Sequence, residues 1–160
     1  MLFSCGKSAD VARIYQMGEK VPAGSLIYTV LDADWRTELP GAESKQAPKD
    51  RFLVLHVTVT NSGGSEVVAP LGTLINKQGN EFGENQEMKG LGGWLGILRR
   101  MAPAATETGY IVFDVPVGAY TLRVGDGGDV ENEKTAIIQI PLDLKGEGPA
   151  PEFVPPSATK

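Results

Sequence analysis

Arg51-Phe52-Leu53-Val54-Leu55-His56-Val57-Thr58-Val59-Thr60-Asn61 is the stretch from which the fold can be read. In an extended chain successive side chains point to opposite faces, so Leu53, Leu55, Val57 and Val59 line one side while His56, Thr58 and Thr60 line the other. Branched aliphatic and threonine side chains suit a pleated surface, and the segment reads as a strand with one buried face. Slipping its register by one residue would turn all four aliphatics to water, which pins the strand firmly. Asn61-Ser62-Gly63-Gly64 then supplies residues that tolerate positive φ and turns the chain.

The same period of two recurs on both sides. Downstream, Ile111, Phe113 and Val115 share a side of Thr108–Val115, Tyr120, Leu122 and Val124 share a side of Ala119–Gly125, and Ala136, Ile138 and Ile140 share a side of Thr135–Pro141. Pro116-Val117-Gly118 and Asp126-Gly127-Gly128-Asp129 separate them as turns. Upstream, strands are expected at Val11–Met17 and Ser25–Asp34. In the second of these Leu26, Tyr28 and Val30 oppose Ile27, Thr29 and Leu31, which leaves the buried side open. Pro40–Lys49 reads as a loop, and Glu66–Ala69 as a short strand closed by Pro70, a residue costly in a sheet centre. Leu71–Asn76 and the turn Gln78-Gly79-Asn80 lead to Phe82, after which Gly83–Ala105 reads as a long connection with little internal order. Loops of that length within a domain are usually functional or flexible. Seven or eight short strands without helical periodicity predict an all-β, two-sheet sandwich, although the pattern does not dictate topology.

Composition agrees. A chain of 160 residues with 41% hydrophobic and 22% charged residues builds one ordinary core, and 20 glycines with 11 prolines favour a turn-rich β chain. The net charge of −5 argues against a nucleic-acid partner, since phosphate binding needs a cation cluster and Arg99-Arg100 is the only basic doublet. A single cysteine excludes an intrachain disulfide framework and a thiolate zinc site. The expected organisation is a tether at 1–9, a sandwich over 10–145, and a tail over 146–160 that carries Gly, Pro, Ala, Ser and Thr in place of apolar periodicity.

Four segments together carry a resemblance: Met17-Gly18-Glu19-Lys20-Val21, Phe52–Asn61, Leu74-Ile75-Asn76-Lys77-Gln78-Gly79 and Gly109-Tyr110-Ile111-Val112-Phe113-Asp114-Val115-Pro116. In order and spacing they resemble a widespread bacterial family of secreted domains of unknown function within the immunoprotective extracellular, immunoglobulin-like superfamily. The resemblance implies an immunoglobulin-like sandwich without a disulfide, a secreted or lipid-anchored life, and a non-enzymatic role. Pro103-Ala104-Ala105 departs from the Pro-Gly-type turn usual before the strand in that family.

Candidate chemistry is sparse. Leu2-Phe3-Ser4-Cys5-Gly6 has the form of the end of a bacterial lipoprotein signal, with a small residue before the cysteine that would carry diacylglycerol; the competing reading is a plain surface or buried cysteine. Two or more acyl chains would anchor the protein stably, at about 0.8 kcal/mol per buried methylene. Gly90-Leu91-Gly92-Gly93-Trp94-Leu95-Gly96-Ile97-Leu98-Arg99-Arg100 gathers apolar side chains in a loop. It reads either as a flap closing one end of the sandwich or as a partner contact made by Trp94, Leu95, Ile97, Leu98 and Arg99. The carboxylates of Asp126–Glu133 lack the spacing of a calcium loop and read as a solvated hairpin. His56, Asp32 and Asp34 are the residues a cell-envelope hydrolase would use, but no nucleophile motif accompanies them. No glycine loop sits between a strand and a helix to hold a nucleotide, and no motif calls for a metal or cofactor. The expected function is a non-catalytic extracytoplasmic binding or structural accessory module, lipid-anchored through Cys5 or secreted, whose partner is a protein or envelope component. A hydrolase and a cytoplasmic adaptor are the competing expectations.

Overall fold

The computed structural model describes residues 13–41, 47–129 and 131–144. Its strands are β1 (Ile14–Tyr15), β2 (Val21–Ala23), β3 (Leu26–Arg36), β4 (Phe52–Asn61), β5 (Val67–Ala69), β6 (Thr73–Ile75), β7 (Glu81–Gly83), β8 (Arg99–Met101), β9 (Thr106–Asp114), β10 (Tyr120–Gly125) and β11 (Thr135–Ile140). One main sheet has the order β1-β11-β10-β6-β7 and the other β2-β3-β4-β9, with β5 and β8 forming a small third ribbon. The fold is therefore the expected two-sheet, immunoglobulin-like β-sandwich. Among the described strands, β1 alone breaks the antiparallel pattern, pairing parallel with β11 through Ile14 and Tyr15.

β4 forms where the alternation is strongest and organises its sheet. It pairs with β3 on one side and β9 on the other, with Leu53 opposite Phe113 and Leu55 opposite Ile111. Leu53, Leu55, Val57 and Val59 are all buried, as their spacing requires. The ambiguity in β3 has a structural cause. Its register slips between Val30 and Asp32, so the extra residue, Leu31, moves the buried row from Leu26, Tyr28 and Val30 to Ala33 and Trp35. A single face never runs the full length of that strand.

Across the interior, Leu74, Leu122, Val124, Ile138 and Ile140 meet the β3–β4–β9 row, with Phe113 fully enclosed. Each such side chain contributes roughly 1.5–3 kcal/mol relative to exposure. Two tyrosines tie the ends: Tyr28 donates its hydroxyl to the Gly125 carbonyl at 2.6 Å, and Tyr120 donates to Pro116 at 2.6 Å. The second bond, running back four residues from the start of a strand, reproduces the tyrosine corner of immunoglobulin-like sandwiches.

Two expectations need correction. The strand expected at Val11–Met17 shrinks to Ile14–Tyr15, with Met17 in the turn that follows; positions 11 and 12 lie outside the described residues, as do Cys5 and the segment 146–160. The connection Gly83–Ala105 is not a passage with little internal order. It contains β8, a run of hydrogen-bonded turns and a bridge between Trp94 and Tyr110.

Candidate functional site

The connection builds a lobe against the four-stranded sheet. Where β7 ends, the Asn85 amide donates to the Val112 carbonyl at 2.7 Å. Turns follow through Leu91 N–H to Met88 O at 3.0 Å and Trp94 N–H to Leu91 O at 3.2 Å. The chain then lies along β9, with Tyr110 donating to Gly93 O at 2.8 Å and Leu95 donating to Tyr110 O at 3.0 Å. Met88 and Leu91 are thereby pressed onto Phe52, Val54 and Val112, the outward-facing residues of β4 and β9, with Leu39, Trp94 and Tyr110 packed around them. Close approach depends on glycine. A Cβ on Gly109 would lie 2.3 Å from the Gly93 carbonyl oxygen, so nothing larger fits between the lobe and β9.

A buried ion pair closes the lobe at its base. Arg99 donates bidentately to Glu84: Nη1 reaches Oε2 at 3.0 Å, and Nη2 bonds Oε1. The remaining partners are local: Gly72 N–H donates to Glu84 Oε2 at 2.6 Å, and Arg99 Nε donates to Gly96 O at 2.8 Å. Side-chain exposure is 1% for Glu84 and 8% for Arg99, so these charges are largely removed from water. Such pairs are tolerated only when well satisfied, and removing one partner leaves a charge stranded.

Beyond Gly96 the lobe turns outward. Ile97 and Leu98 are 51% and 63% exposed, and Val68 on β5 is exposed beside the same ribbon. Leu98 edges a cleft of about 200 Å³ whose walls include Val59, Ala69, Leu95, Met101 and Glu107. Arg100, also on its wall, pairs with Glu66 at 3.6 Å across exposed surface.

The residues proposed from sequence as a partner contact therefore divide. Ile97 and Leu98 stand free in solvent, whereas Trp94 and Leu95 are half-buried and pack against the outer cluster and the main core respectively. Arg99 is turned inward onto Glu84 and offers no guanidinium to a partner. Glu84 escaped sequence reading because a lone glutamate after a strand looks solvated; only the return of the chain at Arg99 shows its role. Ala69, Glu107 and Met101 reach the cleft through pairing that the sequence does not encode locally.

The residues considered for hydrolysis lie elsewhere, on the outer face of the four-stranded sheet. Asp32 sits opposite His56 and His56 opposite Tyr110 across three strands, and the imidazole stacks on the Tyr110 ring at 4.7 Å between centroids. Asp34 is engaged by Arg36 at 3.2 Å. This row is part of a solvent-facing sheet surface, with Asp32 exposed and His56 half-exposed. In the acidic turn, Asp126 Oδ1 accepts from the amides of Gly128 at 3.0 Å and Lys134 at 3.1 Å, which gives it a turn-closing task.

A sequence profile described as a domain of unknown function, DUF4352, matches residues 15–135. The chain belongs to the DUF4352 family. The matched span runs from β1 to the start of β11 and includes the whole lobe, so the lobe lies within the DUF4352 domain rather than outside it. Among solved structures, the yjhA protein of Bacillus subtilis is similar, with a TM-score of 0.64, 17% identity, and coverage of 79% of this chain and 99% of that one. The Bacillus subtilis protein ycdA, described as a "putative lipoprotein", aligns with a TM-score of 0.60 and 15% identity over 76% of this chain. This chain spans only 38% of the length of ycdA. A functionally unknown protein from Listeria monocytogenes aligns with a TM-score of 0.56 and 10% identity, covering 81% of this chain and 85% of that one. At these identities the likeness is one of fold. No curated protein matches this chain in sequence.

Proposed function

We propose that this DUF4352 domain is a non-catalytic binding or accessory module that works outside the cytoplasm, tethered through Cys5 or secreted, and that it engages a protein or envelope component through the tip of its lobe. One observation carries the reading: Ile97 and Leu98 are held in water by a lobe whose remaining apolar residues are packed down. Apolar side chains on an anchored support, beside a cleft, form the kind of surface that soluble proteins reserve for contacts. Support for the location comes from Leu2-Phe3-Ser4-Cys5 and from the description given to ycdA. The finer kinship, with the immunoprotective extracellular superfamily, rests on the motifs Phe52–Asn61 and Gly109–Pro116 together with the tyrosine corner.

The test is the double substitution Ile97→Ser with Leu98→Ser, followed by crosslinking of the chain to its native envelope. Loss of the crosslinked product with stability changed by no more than about 0.5 kcal/mol is the expected result. Undiminished crosslinking would place the contact elsewhere. A hydrolase reading draws on the pairing of Asp32 opposite His56. It requires that His56→Ala and Asp32→Asn each lower a measurable hydrolytic rate by orders of magnitude.

A further inference from the structure

β9 ends the four-stranded sheet, and its outer edge is used unequally. Strand residues alternate in the edge to which they present N–H and C=O. Ala105 and Val115 bond toward β4, through Asn61 N–H and Arg51 O respectively. Tyr110 and Val112 bond away from it, to Gly93, Leu95 and Asn85. The register between β4 and β9 is unbroken from Thr106 to Asp114. By the same alternation Thr106 and Thr108 therefore present their backbone groups to the outer edge. The lobe meets that edge at Gly93 and runs parallel to β9 from Tyr110 toward Val112; Thr106, Glu107 and Thr108, which precede that meeting point on β9, are exposed. Directly beside them opens the 200 Å³ cleft bordered by Leu95, Leu98 and Glu107.

We infer that the partner adds to this domain as a strand: an extended peptide segment pairs with the Thr106–Thr108 edge and places a branched aliphatic side chain in the cleft under Leu98. The inference rests on the proposed lobe-tip contact and specifies its partner. Two features favour an extended peptide over other occupants. The open edge continues the line on which the chain's own segment Gly93–Leu95 already pairs with Tyr110, so the added strand would extend an existing interface. Backbone donors and acceptors in a row demand a matching row, which an extended main chain supplies whatever its sequence, leaving the cleft to select the side chain.

The experiment uses a displayed library of random heptapeptides selected on the full chain, with the recovered peptide resynthesised in unmodified form and with alternate backbone nitrogens methylated. Both are titrated against the full chain and against Thr108→Pro. Proline there removes an outward N–H while leaving the ladder bonds to β4, which come from the odd-numbered residues. At least tenfold weaker binding on either change, with Thr106 and Thr108 amides protected from exchange only by the unmodified peptide, is the expected result. Should Thr108→Pro fail to fold, as judged by circular dichroism, the methylated peptide carries the test. Binding indifferent to methylation overturns strand addition. If Ile97→Ser with Leu98→Ser abolishes binding that methylation leaves intact, the lobe tip stands as the contact and the strand geometry falls. Failure of selection to yield a peptide that requires Leu98 also overturns the inference. So does self-association of the peptide-free chain in sedimentation that Thr108→Pro removes, because the edge would then serve a second copy.

Discussion

The four-stranded sheet is dry on two faces for different reasons. Its inner face meets the opposing sheet in a row that alternates along every strand, with Leu53, Leu55 and Val57 of β4 facing Leu122 and Ile138. Part of its outer face, at Phe52, Val54 and Val112, is dry because a lobe without periodicity lies on it. Farther along β4 the same outer face is wet, and there Thr58 and Thr60 bond the hydroxyls of Thr108 and Thr106 at 3.0 and 2.8 Å. One strand thus carries both a face made by secondary structure and a face made by a connection. The first is held by area and register, the second by a few specific bonds and by glycine, and the two should fail differently.

The largest expected effect is at the closure of the lobe. Glu84→Ala or Arg99→Ala strands a buried charge and should destabilise by about 3–5 kcal/mol, read by denaturant unfolding. Replacing both at once, Glu84→Leu with Arg99→Met, should recover most of that loss, and equal damage from single and double variants would show that the pair is not what closes the lobe. Next comes Gly109→Ala, expected to cost about 1–3 kcal/mol and to unseat Gly93–Leu95 while the inner face stays intact. Trp94 fluorescence shifting toward that of water, with near-native strand content, is the signature. An unchanged spectrum would mean that the lobe is not seated by close approach.

The inner face has its own probe in pH. Burial, opposed in part by the neighbouring Arg99, holds the Tyr28 hydroxyl well above the ordinary tyrosine range. Because the folded-state pKa is raised, the stability it reflects is complete below the unfolded value near 10 and is lost as pH climbs beyond it, by up to about 1.4 kcal/mol per pH unit. Melting temperature should hold through pH 9, fall above about 10, and fall less steeply in Tyr28→Phe. The smallest effect is expected at the turn into the wet end of β9. Ala104 sits at a φ of 66°, so Ala104→Gly should stabilise by about 1 kcal/mol without altering either face. A loss of stability on that change would show that the turn is held by contacts of the methyl group.

These two faces also mark where sequence reading succeeds. Leu53 to Val59, Ile111 to Val115 and Tyr120 to Val124 announce the inner face because period two is a local property. Nothing local announces that Phe52 and Val54 are covered, for Met88 and Leu91 reach them across more than thirty positions of chain. The slip at Leu31 hid the buried side of β3 for a related reason: an irregularity in pairing leaves no periodic trace. At the candidate contact, the apolar character of Trp94–Leu98 was legible. Which of those residues face outward was not, since Arg99 turns inward to Glu84 and Leu95 rests on the core.

Amide hydrogen exchange, residue by residue, puts the comparison to its most direct test. An ordered lobe bonded to β9 predicts slow exchange at Asn85, Leu95 and Tyr110, within reach of the protection of Leu55 and Val57, with rapid exchange at Ile97 and Leu98 on the same lobe. If Asn85, Leu95 and Tyr110 exchange as freely as Ile97 and Leu98 while β4 remains protected, the lobe is not seated on the sheet, and the contact surface built on it has no support.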